Sequence, residues 1–172
     1  ADDVLKIIKP NSGPYLVSTT AIAIENTHNF GGGTIQPILE IEKLRNQTKD
    51  LGISMHLDGA RIWNAHIASG VKLAEYGKHF DTLSVCLSKG LGSPIGSLMI
   101  SSQEIVTKAR QWRKRYGGGM RQVGIIAAAG IYAIENNLSL LDLDHKRAKL
   151  IAEIIEKVSP SLIDANSVET NI

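Results

Sequence analysis

At 172 residues, 43% hydrophobic and 21% charged, the chain can bury one core of ordinary domain size. Its 19 basic and 17 acidic residues leave a formal net charge of +2, which gives no electrostatic reason to expect nucleic acid, and the cluster Arg113-Lys114-Arg115 is too short to change that. A single cysteine, Cys86, excludes a disulfide framework and points to a reducing, cytoplasmic setting; no stretch approaches the roughly 20 apolar residues of a membrane span, and the charged opening Ala1-Asp2-Asp3 is unlike a signal peptide, so no membrane partner is expected.

In chain order, amphipathic segments alternate with apolar runs, the pattern of an α/β fold with a mostly parallel sheet flanked by helices. A helix over Asp2 to Ile8 precedes a strand over Tyr15 to Ile24, and Gly31-Gly32-Gly33 before Thr34 and Pro37 marks a loop. The spacing then predicts a helix over Ile38 to Leu51, a strand over Ser54 to Leu57, a helix over Arg61 to Ser69, and strands over Thr82 to Leu87 and Gly96 to Ile100. Ser101-Ser102-Gln103-Glu104 offers a capping-box start for a helix over Ser102 to Tyr116. A second triple glycine, Gly117 to Gly119, leads to helices over Gln122 to Asn136 and Leu140 to Val158. No repeat or low-complexity linker interrupts this, so residues 1–159 read as one unit followed by a terminal stub, 160–172.

Chemistry concentrates where apolar runs end. Lys89 sits in Leu87-Ser88-Lys89-Gly90-Leu91-Gly92, directly after Leu83-Ser84-Val85-Cys86-Leu87. Burial at a strand end would favour the free amine, which can attack a carbonyl. Ile53-Ser54-Met55-His56-Leu57 likewise ends in Asp58-Gly59-Ala60-Arg61, placing a carboxylate at an equivalent position. Ligands of open α/β sheets collect outside the carboxyl ends of the strands, which puts His28, Asp58 and Lys89 along one edge. An amine with an acid suggests pyridoxal phosphate (PLP), whose aldehyde needs a lysine and whose pyridine nitrogen needs a carboxylate. The plainer readings are that Asp58 caps the following helix and Lys89 is a solvated charge. Cys86 reads as a buried structural thiol, and His56 and His66 as packing or surface residues. His56, Asp58 and His66 follow no recognised metal spacing, so no metal is expected.

Four motifs in order extend the pattern: Glu25-Asn26-Thr27-His28-Asn29, His56-Leu57-Asp58-Gly59-Ala60-Arg61-Ile62-Trp63-Asn64-Ala65, Leu87 to Gly92, and Arg113-Lys114-Arg115-Tyr116-Gly117-Gly118-Gly119-Met120-Arg121-Gln122. Together they resemble the low-specificity L-threonine aldolases, which belong to the aspartate-aminotransferase-like (fold-type I) PLP enzymes and share their large domain with the aromatic amino-acid β-eliminating lyases. The resemblance implies that the chain is an internal piece of a protein roughly twice as long. The glycine-rich phosphate loop and ring-stacking histidine would precede Ala1. Residues 1–159 would be part of the large domain, and Ser161 to Ile172 would begin the small C-terminal domain, ending inside its first strand.

Roles follow from the same resemblance. Lys89 would hold the cofactor as a Schiff base and then move protons. Asp58 would pair with the pyridine nitrogen, and Arg61 would reach the phenolic oxygen or a substrate carboxylate. Ser88 would also contact the cofactor, and Arg121 at a helix start would help bind an anion. His28 would stand near the β-hydroxyl of the substrate. The implied reaction is cleavage of L-threonine, L-allo-threonine and other β-hydroxy-α-amino acids to glycine and an aldehyde, a small-molecule chemistry carried out by a homodimer or homotetramer. The alternatives are a β-eliminating lyase acting on aromatic amino acids and a non-catalytic module of the same fold.

Overall fold

The computed structural model describes all 172 residues, Ala1–Ile172. Strand alternation sets its layers. In β1 (Ala21–Glu25), β2 (Ser54–Gly59) and β3 (Thr82–Cys86), Ile22, Met55, Leu57, Leu83 and Val85 are buried on one face. Ala23, Ser54, His56, Asp58, Ser84 and Cys86 fall on the other face and are exposed or half-buried. β1, β2 and β3 run parallel, β4 (Ser97–Ser101) pairs antiparallel with β3, and sheet order follows chain order. The sheet is thus mostly parallel, as the alternation of apolar runs and amphipathic segments predicts.

Helices α2 (Ile38–Thr48), α3 (Ile62–Ser69) and α4 (Leu73–Gly77) bring Ile41, Leu44, Ile62, Ala65 and Tyr76 into the core of the apolar face. Fully buried side chains such as Leu57 each contribute roughly 1.5–3 kcal/mol relative to exposure. Helix α1 (Asp2–Ile7) lays Val4 and Leu5 against the margin. Beyond the end of β3 the core continues through Leu87 and Leu91 to Ala133 of α6 (Gly124–Asn137) and Leu141 of α7 (Leu141–Val158). Helix α5 (Gln103–Arg115) follows β4 and buries no residue.

Several elements differ from expectation. Residues 15–20 are not strand: Tyr15 and Val17 are 94% and 93% exposed, and Thr19 donates to the Lys9 carbonyl while Lys9 donates to Thr19 Oγ1, so this segment folds back on the chain after α1. Helix α4, five residues long, is too short to show a period and was not expected. Helix α6 starts at Gly124, because Gln122 takes a positive φ of 45°. Ser102 caps α5 by accepting from the Ile105 amide at 3.4 Å, but Ile105 has no side-chain acceptor to complete a box.

Within Ser161 to Ile172 there is no strand. A short 3-10 turn, Ala165–Ser167, is followed by Glu169, whose side-chain Oε2 accepts from the Ile35 amide, and by buried Thr170, whose Oγ1 donates to the Gly33 carbonyl, so side chains rather than a backbone ladder tie this segment to the loop at Gly33 to Ile35. One window of 18 residues within the helical run Gly124–Val158 reaches a mean hydropathy of 1.3, long and apolar enough by length and composition to cross a membrane, against the expectation that none approaches this. In the fold that run breaks into a 3-10 turn at Leu138–Leu140 and seats Gly130 and Ala133 in the interior.

Candidate active site

Parallel pairing places the carboxyl ends of β1, β2 and β3 side by side, with Glu25 in register with Asp58 and Asp58 with Ser84. Neighbouring strands stand about 4.8 Å apart, and residues in register share a face, so Glu25, Asp58 and Ser84 lie together on the open side of the sheet.

Asp58 uses one oxygen locally. Its Oδ1 accepts from the Ala60 amide at 3.1 Å, an Asx turn leading from β2 into α3. The N-cap of α3 is Arg61, with no side-chain cap, so Asp58 is not the helix cap. Asp58 forms no ion pair, and neither does Arg61, which is half-buried at the helix start.

Lys89 follows the end of β3 in the connection to β4, and its side chain is exposed rather than buried. The reason lies in the turn. Leu87 and Leu91 drop into the core at 6% and 1% exposure, and Ser88, Lys89 and Gly90 between them are lifted off it. Gly92 donates to the Lys89 carbonyl at 2.8 Å with φ +74°, and Ser93 donates to the Leu87 carbonyl at 3.0 Å. From α3, Trp63 Nε1 donates to the Cys86 carbonyl at 2.8 Å, so the helix that follows Asp58 also fixes the strand end that precedes Lys89. The Lys89 side chain has no hydrogen-bond or ion-pair partner within the chain.

After β1, Asn26 and Thr27 are buried. The Asn26 amide donates to the Asp58 carbonyl at 3.0 Å and its Oδ1 accepts from Gln36, leaving Asn26 Nδ2 and Thr27 Oγ1 buried without a partner. His28 stands over this turn. Its Nδ1 accepts from the Gly31 amide at 2.8 Å, so in the neutral ring the proton resides on Nε2, which faces Glu25 Oε2 at 3.6 Å. Glu25 Oε1 accepts from the Asn29 amide at 3.0 Å. Glu25 is the residue that the motif contained but to which no role was given; its i, i+3 spacing to His28 at a strand end was the available signal.

The structure therefore gathers Glu25, His28, Asp58, Ser88 and Lys89 at one edge of the sheet. It does not bring Arg121 into that group: Arg121 is exposed in the loop before α6 and its side chain has no partner. Cys86 is half-buried on the open face, since Leu83 and Val85 take the inward positions of β3. Burial opposes ionisation of its thiol, but hydrogen bonds from Ser88 and Ser97 and the Lys89 ammonium outweigh it and hold the thiol below its ordinary value. His56 and His66 are engaged by Thr82 Oγ1 at 2.7 Å and the Val71 carbonyl at 2.8 Å.

Comparison with known proteins gives the family and the fold. The profile of a family described as beta-eliminating lyase matches residues 1–172. The chain is 42% identical over 163 residues to low-specificity L-threonine aldolase 1 of Arabidopsis thaliana, covering 95% of this chain and 46% of that protein. It is 40% identical over 162 residues to the low specificity L-threonine aldolase of Escherichia coli strain K12, covering 94% and 47%. The chain thus spans about half the length of the curated relatives it matches. A solved structure of a putative L-allo-threonine aldolase from Listeria monocytogenes superposes with a TM-score of 0.81 at 26% identity, over 99% of this chain and 46% of that one. A threonine aldolase from Leishmania major shares the fold, with a TM-score of 0.77 at 21% identity over 91% and 46%. The match of the family profile over residues 1–172, with the aldolase fold alongside it, establishes that the chain belongs to the beta-eliminating lyase family.

Proposed function

We propose that this chain belongs to a PLP-dependent aldehyde-lyase that cleaves L-threonine, L-allo-threonine and related β-hydroxy-α-amino acids to glycine and an aldehyde. The observation that carries the reading is the pair Asp58 and Lys89, a carboxylate and an amine at adjacent parallel strand ends on the open side of the sheet, neither held in a salt bridge within the chain. The names of the relatives at about 40% identity favour aldol cleavage over elimination of an aromatic group.

The residues present fit the cofactor. Asp58 keeps Oδ2 free on an open sheet face beside the small side chain of Ser84, and two buried polar atoms, Asn26 Nδ2 and Thr27 Oγ1, are unsatisfied next to it. Lys89 would hold the cofactor's aldehyde carbon, Asp58 its ring-nitrogen proton, and Arg61 its phenolic oxygen or the substrate carboxylate, with Ser88 alongside; Arg121, which stands outside this group, would reach only the phosphate. Bound PLP supplies an electron sink for the pair released when the Cα–Cβ bond breaks.

The remaining work is proton transfer. The β-hydroxyl must lose its proton as the bond breaks, and Glu25 with His28 occupies the neighbouring strand end. Because His28 Nδ1 already accepts from Gly31, the ring offers Nε2–H as a donor to the substrate oxygen while Glu25 Oε2 takes the proton. Lys89 would also be the residue that carries a proton to Cα of the glycine product. The protein acts in the cytoplasm as a homodimer or homotetramer.

The test is to supply the full-length protein and PLP with L-threonine and L-allo-threonine and to quantify glycine and acetaldehyde. Equimolar release is expected from both. Release of an aromatic leaving group from aromatic amino acids, with no glycine from threonine, would overturn the assignment.

A further inference from the structure

We propose that Asn137 is a positioning residue for Lys89, acting through the carbonyl of Leu91; the inference rests on the assignment of Lys89 as the cofactor-bearing amine. Helix α6 approaches the Lys89 turn along one stripe, Gly130, Ala133 and Asn137, at i, i+3 and i+7. Gly130 permits the approach, since a Cβ there would come within 2.9 Å of Leu87 Cδ1, and Ala133 is 1% exposed. Asn137 is the polar member of this stripe. Its amide is not used to close its own helix: Nδ2 donates to the Leu91 carbonyl at 2.7 Å, 46 residues earlier in the chain.

One residue pair further on, the start of α7 holds the other side of the same turn. A Cβ on Gly90 would lie 2.7 Å from Leu141 Cδ2, so that residue 90 can only be glycine while Leu141 keeps its place. The elbow between α6 and α7 thus grips Gly90 by contact and Leu91 by a hydrogen bond, on the carboxyl side of Lys89. On the amino side, Trp63 fixes the Cys86 carbonyl. Lys89 is exposed and its own side chain has no partner, so the backbone on either side is what sets where its amine stands. Productive geometry needs that amine held to within about 0.5 Å, which a turn with one free end does not provide.

The experiment uses the full-length protein with Asn137→Asp, which keeps the size and removes the donor, and Asn137→Ser, which removes the reach without adding charge. In the cofactor-free protein, backbone amides of residues 91–93 are expected to exchange about tenfold faster in both variants, while helix α2 keeps its exchange rates. In the loaded enzyme, kcat should fall about tenfold with KM changed by less than about twofold, and the pH midpoint of the absorption band of the Lys89-bound cofactor should shift. Asn137→Gln, which can still donate, should recover part of each effect.

Unchanged exchange at residues 91–93, or an absorption titration that superposes on that of the unsubstituted enzyme in both variants, would overturn the proposal. If Asn137→Asp does not fold, Asn137→Ser carries the same expectations. Failure of the functional assignment would look different: Lys89→Ala would retain cofactor capture, whatever residue 137 is.

Discussion

Replacing Asp81 is expected to loosen the frame that sets the site. Asp81 lies immediately before β3 and accepts from Arg45 Nη1 and Nη2 at 2.8 and 2.9 Å and from the Met55 amide at 2.7 Å, while its own amide donates to the Met55 carbonyl. It therefore ties α2 to β2 and fixes the start of the β2–β3 register that places Asp58 beside Ser84. Asp81→Ala leaves the amide of Met55, whose side chain is fully buried, without its acceptor, costing about 1–3 kcal/mol. Loss of the Arg45 pair adds at most about 1 kcal/mol, because both side chains are partly exposed and screened. The sum is about 1–4 kcal/mol. The Arg45 hydrogen bonds, opposed by burial and assisted by the Met55 amide, hold the Asp81 carboxyl below its ordinary value. The stabilisation is consequently complete above about pH 4 and is lost as pH falls through the lowered native value. Denaturant unfolding of the full-length protein and its Asp81→Asn and Asp81→Ala variants, repeated from pH 6 to pH 3, checks this. A gap under about 0.5 kcal/mol at pH 6, or one that does not narrow below pH 4, would refute the reasoning.

Further outcomes bear on the site. Lys89→Ala should abolish glycine release, and Asp58→Ala should lower it by several orders of magnitude while leaving the far-ultraviolet circular dichroism unchanged, since Asp58 supports only the local turn at Ala60. Cys86, held below its ordinary value beside Ser88 and Lys89, should alkylate with a pH midpoint below the roughly 8.5 of a free thiol, and bound PLP should protect it; a midpoint at or above that value would count against the arrangement. Burial pushes the His145 imidazole down, against the pull of Asp142 and Asp144, so its neutral form is favoured in the fold. Stability present above about pH 6.5 should decline as pH falls through the lowered native value, and His145→Gln should flatten that decline in thermal melts.

The site was more legible in the sequence than its setting was. Asp58 and Lys89 could be found because an apolar run ending in a charge is visible in one dimension, and the parallel order of the strands then aligned them. Exposure of Lys89 was not legible, since it depends on Leu87 and Leu91 entering the core on both sides of the turn. The face taken by Cys86 follows from the alternation of Leu83, Val85 and Leu87 with Ser84, a signal that the sequence held but that a reading of Leu83 to Leu87 as one apolar run passes over. The segment from Tyr15 to Ile24 is rich in strand-forming residues, yet only Ala21–Glu25 forms a strand, while Thr19 is tied to Lys9 instead. Asn137 lies 46 residues from the carbonyl it holds, and no local pattern marks it. Glu25 was present in the motif but acquires a role only once the ring of His28 is seen turned toward it.

Borohydride reduction of the full-length protein loaded with PLP, followed by proteolysis and mass spectrometry, tests most directly whether this strand-end group is the cofactor site. The expected result is one reduced pyridoxyl adduct, on the peptide containing Lys89, absent in Lys89→Ala and accompanied by loss of the cofactor's absorption band in that variant. An adduct on a different lysine, or a band that survives unchanged in Lys89→Ala, would contradict it.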